Sequence, residues 1–182
     1  PGTMASIIGL SAQDVEDVVE TVRGNGVLTA ANYNSNEQIA ISGEVELVKK
    51  AVEAAKAKGA KRAIVLNVAG AFHSRLMDPA AESLIPHINA AKVNPPRVAF
   101  YANVTGEITS DPKQIRANLI RQVNNPVRWA QTMEKIIAAG HREFLEPGPG
   151  NVLAGLLKRS AQDAKVTGVL TKSQIEAVAS GA

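Results

Sequence analysis

VLTAANYNSNEQIAISG, residues 27–43, reads as two strand-like runs around a polar turn. The run VLTAANYN (27–34) is followed by Ser35, Asn36 and Glu37 and then by QIAISG (38–43), a spacing that predicts a β-hairpin. On its N-terminal side lies SAQDVEDVVETV, in which Ser11 is a natural N-cap and Val15, Val18, Val19 and Val22 recur at helical spacing. Ahead of that helix, MASIIGL (4–10) is short, apolar and β-compatible. On the C-terminal side, EVELVKKAVEAAKAKGA (44–60) places Val45, Val48, Val52 and Ala55 on one helix face, with Gly59 as its stop. RAIVLNVAG (62–70) completes the stretch as a strand.

The resulting order is β-α-β-β-α-β, a ferredoxin-like arrangement held within residues 1–70. From residue 71 the pattern changes. Asp78-Pro79 predicts a helix start with Asp78 as N-cap, and Pro86 should shorten or kink that helix. RVAFYANVTG (97–106) reads as a strand, DPKQIRANLIRQV (111–123) and PVRWAQTMEKIIAAG (126–140) as helices, REFLEPGPG (142–150) as a short strand and loop, and NVLAGLLKRS (151–160) as a helix. Two strands among four helices do not close a sheet, so 71–160 reads as part of a larger α/β core, and 161–182 as a tail with one strand and a terminal helix.

Composition narrows the chemistry. With 45% hydrophobic and only 3% aromatic residues over 182 positions, the core must be built from Ala, Val, Ile and Leu, which suits helices on sheets. The absence of cysteine removes disulfides, thiolate metal sites and a cysteine nucleophile, and no metal site is expected. No apolar run is long enough to span a bilayer and no signal-peptide pattern opens the chain, so a soluble, cytoplasmic protein is expected, without a membrane partner. The net charge of +3 is uneven: residues 1–70 hold 7 Lys+Arg against 8 Asp+Glu, and 71–182 hold 13 against 9. Without stacking aromatics or a basic run, nucleic acid is not a fitting partner; an acidic protein or a phosphorylated small molecule is.

Three histidines are present, and GAFHSRLM (70–77) carries the one at a strand-to-helix junction. There the sheet fixes position while the loop leaves His73 exposed, so it is the candidate proton carrier. Gln122 and Asn125-Pro126 make a helix-to-helix corner whose carbonyls can accept from one imidazole nitrogen and fix the tautomer. His87, inside a helix, and His141, beside Gly140, read as surface or capping residues. EPGPGN lacks the Lys-Ser/Thr of a phosphate loop and reads as a structural turn.

Taken in order, MASIIGL, AANYNS with QIAISG, GAFHSRLM, YANVTG, QVNNPVRW and EPGPGNVLAGLLKR resemble the malonyl-CoA:acyl carrier protein transacylases over residues 2 to about 160. The resemblance implies a ferredoxin-like subdomain set into an α/β-hydrolase-like acyltransferase core. It also implies a ping-pong reaction in which a serine takes malonyl from coenzyme A and passes it to the phosphopantetheine thiol of acyl carrier protein, as in fatty acid biosynthesis. On that footing His73 is the catalytic histidine and the backbone carbonyl of Gln122 orients it. Asn32 and Asn34 would line the substrate cleft, although hairpin hydrogen bonding explains them equally well. Phe72 resembles the malonyl-selective form of the motif, an apolar wall that discriminates one methyl by about 1–3 kcal/mol. No permanently bound cofactor is implied; the coenzyme A thioester is substrate.

One element of that family is not found. None of the serines is flanked by glycines as G-x-S-x-G, and no counterpart of the arginine that pairs with the malonyl carboxylate is recognisable. The expectation is that the chain is the C-terminal portion of a transacylase, partnered by an N-terminal segment bearing the nucleophilic serine, and inactive alone. A serine hydrolase of the same fold and a non-catalytic ferredoxin-like binding module remain open. Arg116, Arg121, Arg128, Lys158 and Arg159 are candidates for carrier-protein contact, with solvated helix faces as the plainer reading.

Overall fold

The computed structural model describes residues 1–180; Gly181 and Ala182, the end of the expected tail, lie outside the described residues. The architecture is mixed α/β, and the chain divides into two compact units, Pro1–Thr132 and a second from Met133 onward.

In the first unit, strand β1 (Gly2–Ile8), helix α1 (Ala12–Arg23), the hairpin β2 (Leu28–Ser35) and β3 (Gln38–Glu44), helix α2 (Val45–Ala57) and strand β4 (Arg62–Val65) follow one another. The four strands form one antiparallel sheet in the order β2-β3-β1-β4. Side chains alternate across a pleated strand, so the register Ala5↔Ile41 and Ile7↔Ile39 puts all four residues on one face. There they bury against Val15, Val18 and Val19 of α1 and Val48, Ala51, Val52 and Ala55 of α2. Each fully buried valine or isoleucine contributes about 1.5–3 kcal/mol of transfer free energy. Helix α1 starts at Ser11, whose hydroxyl accepts from the Asp14 backbone N–H at 3.1 Å.

A second, smaller apolar cluster lies on the opposite face of the sheet. Met4 and Ala40 bury there with Ala31 and the half-buried Leu66. The expected strand 62–70 is shorter than its sequence suggests: β4 ends at Val65. Leu66 still donates to the Met4 carbonyl at 2.8 Å, but Val68 N–H turns back to the Leu66 carbonyl, so the chain leaves the edge. It then packs against Gly2, where a Cβ would lie 2.6 Å from Ala71 Cβ and 3.0 Å from Leu76 Cδ1. Only glycine admits that approach.

A single 3-10 turn, Arg75–Met77, runs directly into helix α3 (Asp78–Ala90). One expectation changes here. Asp78 is the first helical residue rather than the N-cap, because the turn before it already supplies the helical entry, and its carboxylate accepts from Asn124 Nδ2 at 2.8 Å. Pro86 lies inside α3 without ending it. The last carbonyls of α3 are satisfied from outside: the Arg116 guanidinium donates to those of Ile88, Asn89 and Ala91.

Of the expected strand 97–106, only β5 (Tyr101–Ala102) pairs, with β6 (Glu107–Ile108) in a short hairpin. Thr105 and Gly106 N–H groups both fold back to the Ala102 carbonyl, which turns the chain before a longer ladder can form. Helix α4 (Pro112–Gln122) is capped by Asp111, which accepts from the N–H groups of Lys113 at 3.1 Å and Gln114 at 3.3 Å. Between α4 and helix α5 (Trp129–Ala138), Val127 joins the free edge of β2: Tyr33 N–H donates to its carbonyl at 2.9 Å, and its N–H donates to that of Ala31 at 2.8 Å.

The second unit pairs β7 (Glu143–Pro147) in parallel with β8 (Lys165–Val169), in register Phe144↔Val166. Helix α6 (Val152–Ser160) lies between them in sequence, and α7 (Lys172–Ser180) follows. The Glu146 carboxylate accepts from the N–H groups of Leu153 and Ala154 at 2.9 Å each, so the start of α6 is already occupied by a side chain of the preceding strand.

Candidate active site

His73 is the one non-glycine residue with a positive φ among the described residues, at 63°. That conformation costs an L-residue roughly 1–2 kcal/mol. Several bonds offset it. The His73 N–H donates to the Val123 carbonyl at 3.0 Å, and the buried Ser74 hydroxyl closes the turn onto the Ala71 carbonyl at 2.6 Å. Ser74 is thereby committed to structure.

The half-buried His73 ring faces the corner after α4. Its Nδ1 lies 2.9 Å from the Gln122 carbonyl oxygen and 3.1 Å from that of Asn125. Carbonyl oxygens only accept, so Nδ1 must carry the hydrogen and Nε2 holds the lone pair in the neutral ring. Both dipoles then point at the positive charge the imidazole gains when Nε2 takes a proton. Gln122 adds its side chain, with Nε2 at 3.4 Å from the Asn125 carbonyl and 3.5 Å from that of Pro126. Asn125 in turn donates from Nδ2 to the Arg121 carbonyl at 2.9 Å and to Asn124 Oδ1 at 2.8 Å.

His73 also lines a cavity of about 450 Å³, together with Arg23 and the loop through Thr29, with Ser74 and Arg75, and with Asn124, Asn125 and Pro126. Among the described residues no carboxylate lines it, and Arg23 is paired with Glu20 at 2.7 Å. The close approach of β3 shapes its wall: a Cβ on Gly43 would meet the Val27 carbonyl oxygen and Leu28 Cα.

Not every sequence candidate reaches this cavity. Asn32 and Asn34 sit at the two register shifts of β2, with Asn32 opposite Ala40 and beside Val127, and neither lines the cavity. Phe72 is 39% exposed and also lies outside the lining. Of the basic candidates, Arg116 is spent on α3, and Arg128 stacks 5.9 Å above the Tyr33 ring. Tyr33 donates its hydroxyl to Glu16 at 2.6 Å; its burial, then this bond, push the phenol well above its ordinary range. Sequence reasoning missed Asp78, Asn124 and Val127 as parts of the His73 surroundings. The only local signal was the Asn-Asn-Pro run after α4, a composition that favours side-chain to backbone bonds. Among the described residues no three His, Cys, Asp or Glu stand together as metal ligands, and no helix is long and apolar enough to cross a membrane.

Residues 1–179 match the family described as acyl transferase domain. Over 176 residues the chain is 40% identical to a malonyl CoA-acyl carrier protein transacylase of Bacillus subtilis, covering 96% of this chain and 56% of that relative. The solved malonyl CoA-acyl carrier protein transacylase of Coxiella burnetii superposes with a TM-score of 0.93 at 36% identity, over 97% of this chain and 56% of that one. A malonyl-transacylase solved in complex with its type II polyketide synthase acyl carrier protein superposes at 0.92 with 35% identity, over 100% of this chain and 59% of that one. The chain thus spans little more than half the length of the relatives it matches. Match and fold agree over nearly all of its residues: the chain belongs to the acyl transferase domain family.

Proposed function

We propose that this chain is the histidine-bearing part of a malonyl-CoA:acyl carrier protein transacylase of fatty acid biosynthesis, working in the cytoplasm. The observation that carries the reading is the imidazole whose Nδ1 is held by two carbonyls, which leaves the Nε2 lone pair to take a proton, on a residue that lines a cavity. A serine on a G-x-S-x-G segment outside these 182 residues supplies the nucleophile. His73 Nε2 takes the serine proton as Oγ attacks the malonyl thioester carbon; when the tetrahedral adduct collapses, the coenzyme A sulfur leaves with that proton. In the second half-reaction Nε2 takes the proton of the phosphopantetheine thiol, sulfur attacks the malonyl ester, and the serine oxygen recovers the proton.

The Gln122 carbonyl orients the ring in this scheme. Asn32 and Asn34 serve the substrate cleft through β2, whose bulges re-aim side chains, and Phe72 restricts the acyl group. Residues 1–70 are read as the ferredoxin-like subdomain, supported by an apolar core drawn wholly from Ala5 to Ala63, and 71–160 as part of the α/β-hydrolase-like core. No permanently bound cofactor takes part; malonyl-CoA and holo acyl carrier protein are the substrates, and the solved complex of a relative with its carrier protein favours that partner.

The test is reconstitution. Labelled malonyl-CoA is incubated with the purified chain, with a transacylase fragment bearing G-x-S-x-G, and with both. The chain alone should stay unlabelled, while the mixture should form a hydroxylamine-labile ester on the added fragment and pass it to holo carrier protein. A stoichiometric ester on the isolated chain, or transfer to water alone in the mixture, would overturn the reading.

A further inference from the structure

The two carbonyls at His73 Nδ1 do not stand by themselves. Asn125 Nδ2 donates to Asn124 Oδ1 at 2.8 Å, and Asn124 Nδ2 donates to Asp78 Oδ1 at 2.8 Å. All donors in this series point the same way, toward the carboxylate. The Asp78 charge polarises the Asn124 amide, which makes its oxygen a better acceptor for Asn125. Asn125 Nδ2 donates both to Asn124 Oδ1 and to the Arg121 carbonyl, and the side chain so anchored keeps its own main-chain oxygen aimed at the ring. Asp78 itself is fixed at the first position of α3, five residues after His73, so the two ends of the series are set by one short segment.

We propose that Asp78 is a positioning residue for His73, acting through Asn124 and Asn125 to keep the hydrogen on Nδ1 and the lone pair on Nε2. Without Asp78 the Asn124 amide loses its anchor, the Asn125 loop acquires alternatives, and one of the two carbonyl acceptors leaves Nδ1. A lost hydrogen bond of about 1 kcal/mol corresponds to roughly a fivefold change in the ratio of the two neutral tautomers. The proposal rests on His73 being the proton carrier, but its test does not use acyl transfer.

Nitrogen-15 NMR of the His73 ring in this chain, above the pH at which the ring is neutral, reads the tautomer directly. The unmodified chain should show Nδ1–H as the major form. Asp78→Ala and Asn124→Leu should each lower the Nδ1–H to Nε2–H ratio about fivefold. Asp78→Asn, which keeps an acceptor for Asn124, should recover most of it, a rescue that mere loss of a helix-start charge does not predict. The backbone amide spectrum reports whether each variant is folded. An unmodified ring that is mainly Nε2–H, or folded Asp78→Ala and Asn124→Leu proteins with an unchanged ratio, overturns the proposal. If Asp78→Ala does not fold, Asn124→Leu and the unmodified ring decide it.

Discussion

The Nδ1 atom of His73 lies 2.9 Å from the main-chain oxygen of Gln122, across 49 residues of sequence. A ring so held can neither rotate toward solvent nor move its hydrogen to Nε2 without breaking that bond. On the proposed function, His73→Ala in the reconstituted mixture should slow acyl transfer by roughly 10²–10⁴-fold, the usual worth of a positioned acid-base group. Single-turnover transfer from malonyl-CoA checks it, and near-normal turnover would remove His73 from the mechanism.

Alkaline stability should report on Tyr33. Burial, with the Glu16 hydrogen bond second, raises its phenol above the ordinary value of 10.0. Once pH passes that value the unfolded chain loses its proton while the folded one keeps it, so the unfolded state binds fewer protons and the free energy of unfolding falls with rising pH. The loss begins near pH 10 and continues until the folded phenol titrates. Urea denaturation midpoints should therefore drop more steeply above pH 10 for the unmodified chain than for Tyr33→Phe. Parallel slopes would contradict this.

Gly43 offers a separate test of the cavity wall. An added Cβ there meets backbone atoms of Val27 and Leu28, which cannot yield as a flexible side chain would. Gly43→Ala should destabilise the chain by about 1–3 kcal/mol, as overpacking of a close contact does. It should also perturb amide signals of residues 27–29 more than those of α4. A thermally neutral substitution would show that the strand approach is looser than described.

Legibility from sequence followed the range of the interactions. The strand and helix order through residue 65 was readable because valine and isoleucine spacing and the Ser11 cap are local signals. The end of β4 was not, since Leu66 to Gly70 looks strand-like and only the packing at Gly2 draws it away. Residues 97–100 likewise have strand composition, but among the described residues the only ladder beside them is the short β5–β6 hairpin, which the Thr109 N–H to Phe100 carbonyl bond extends by one residue. At the site, the junction of His73 and the corner at Gln122 and Asn125 were legible as loops. The Asp78 to Asn124 bond and the Val127 bridge to β2 were not, because each joins segments that no periodicity connects.

The Val127 bridge has a further effect. Two main-chain bonds stitch it to Ala31 and Tyr33, and only Pro126 separates it from Asn125, whose oxygen lies at the ring. The stretch 122–127 is therefore fastened at one end by a helix and at the other by the sheet margin, like a cable clamped at both posts. Slackening at the β2 margin would reach the imidazole, so the time for which the ring stays aligned is tied to how rarely that margin unzips.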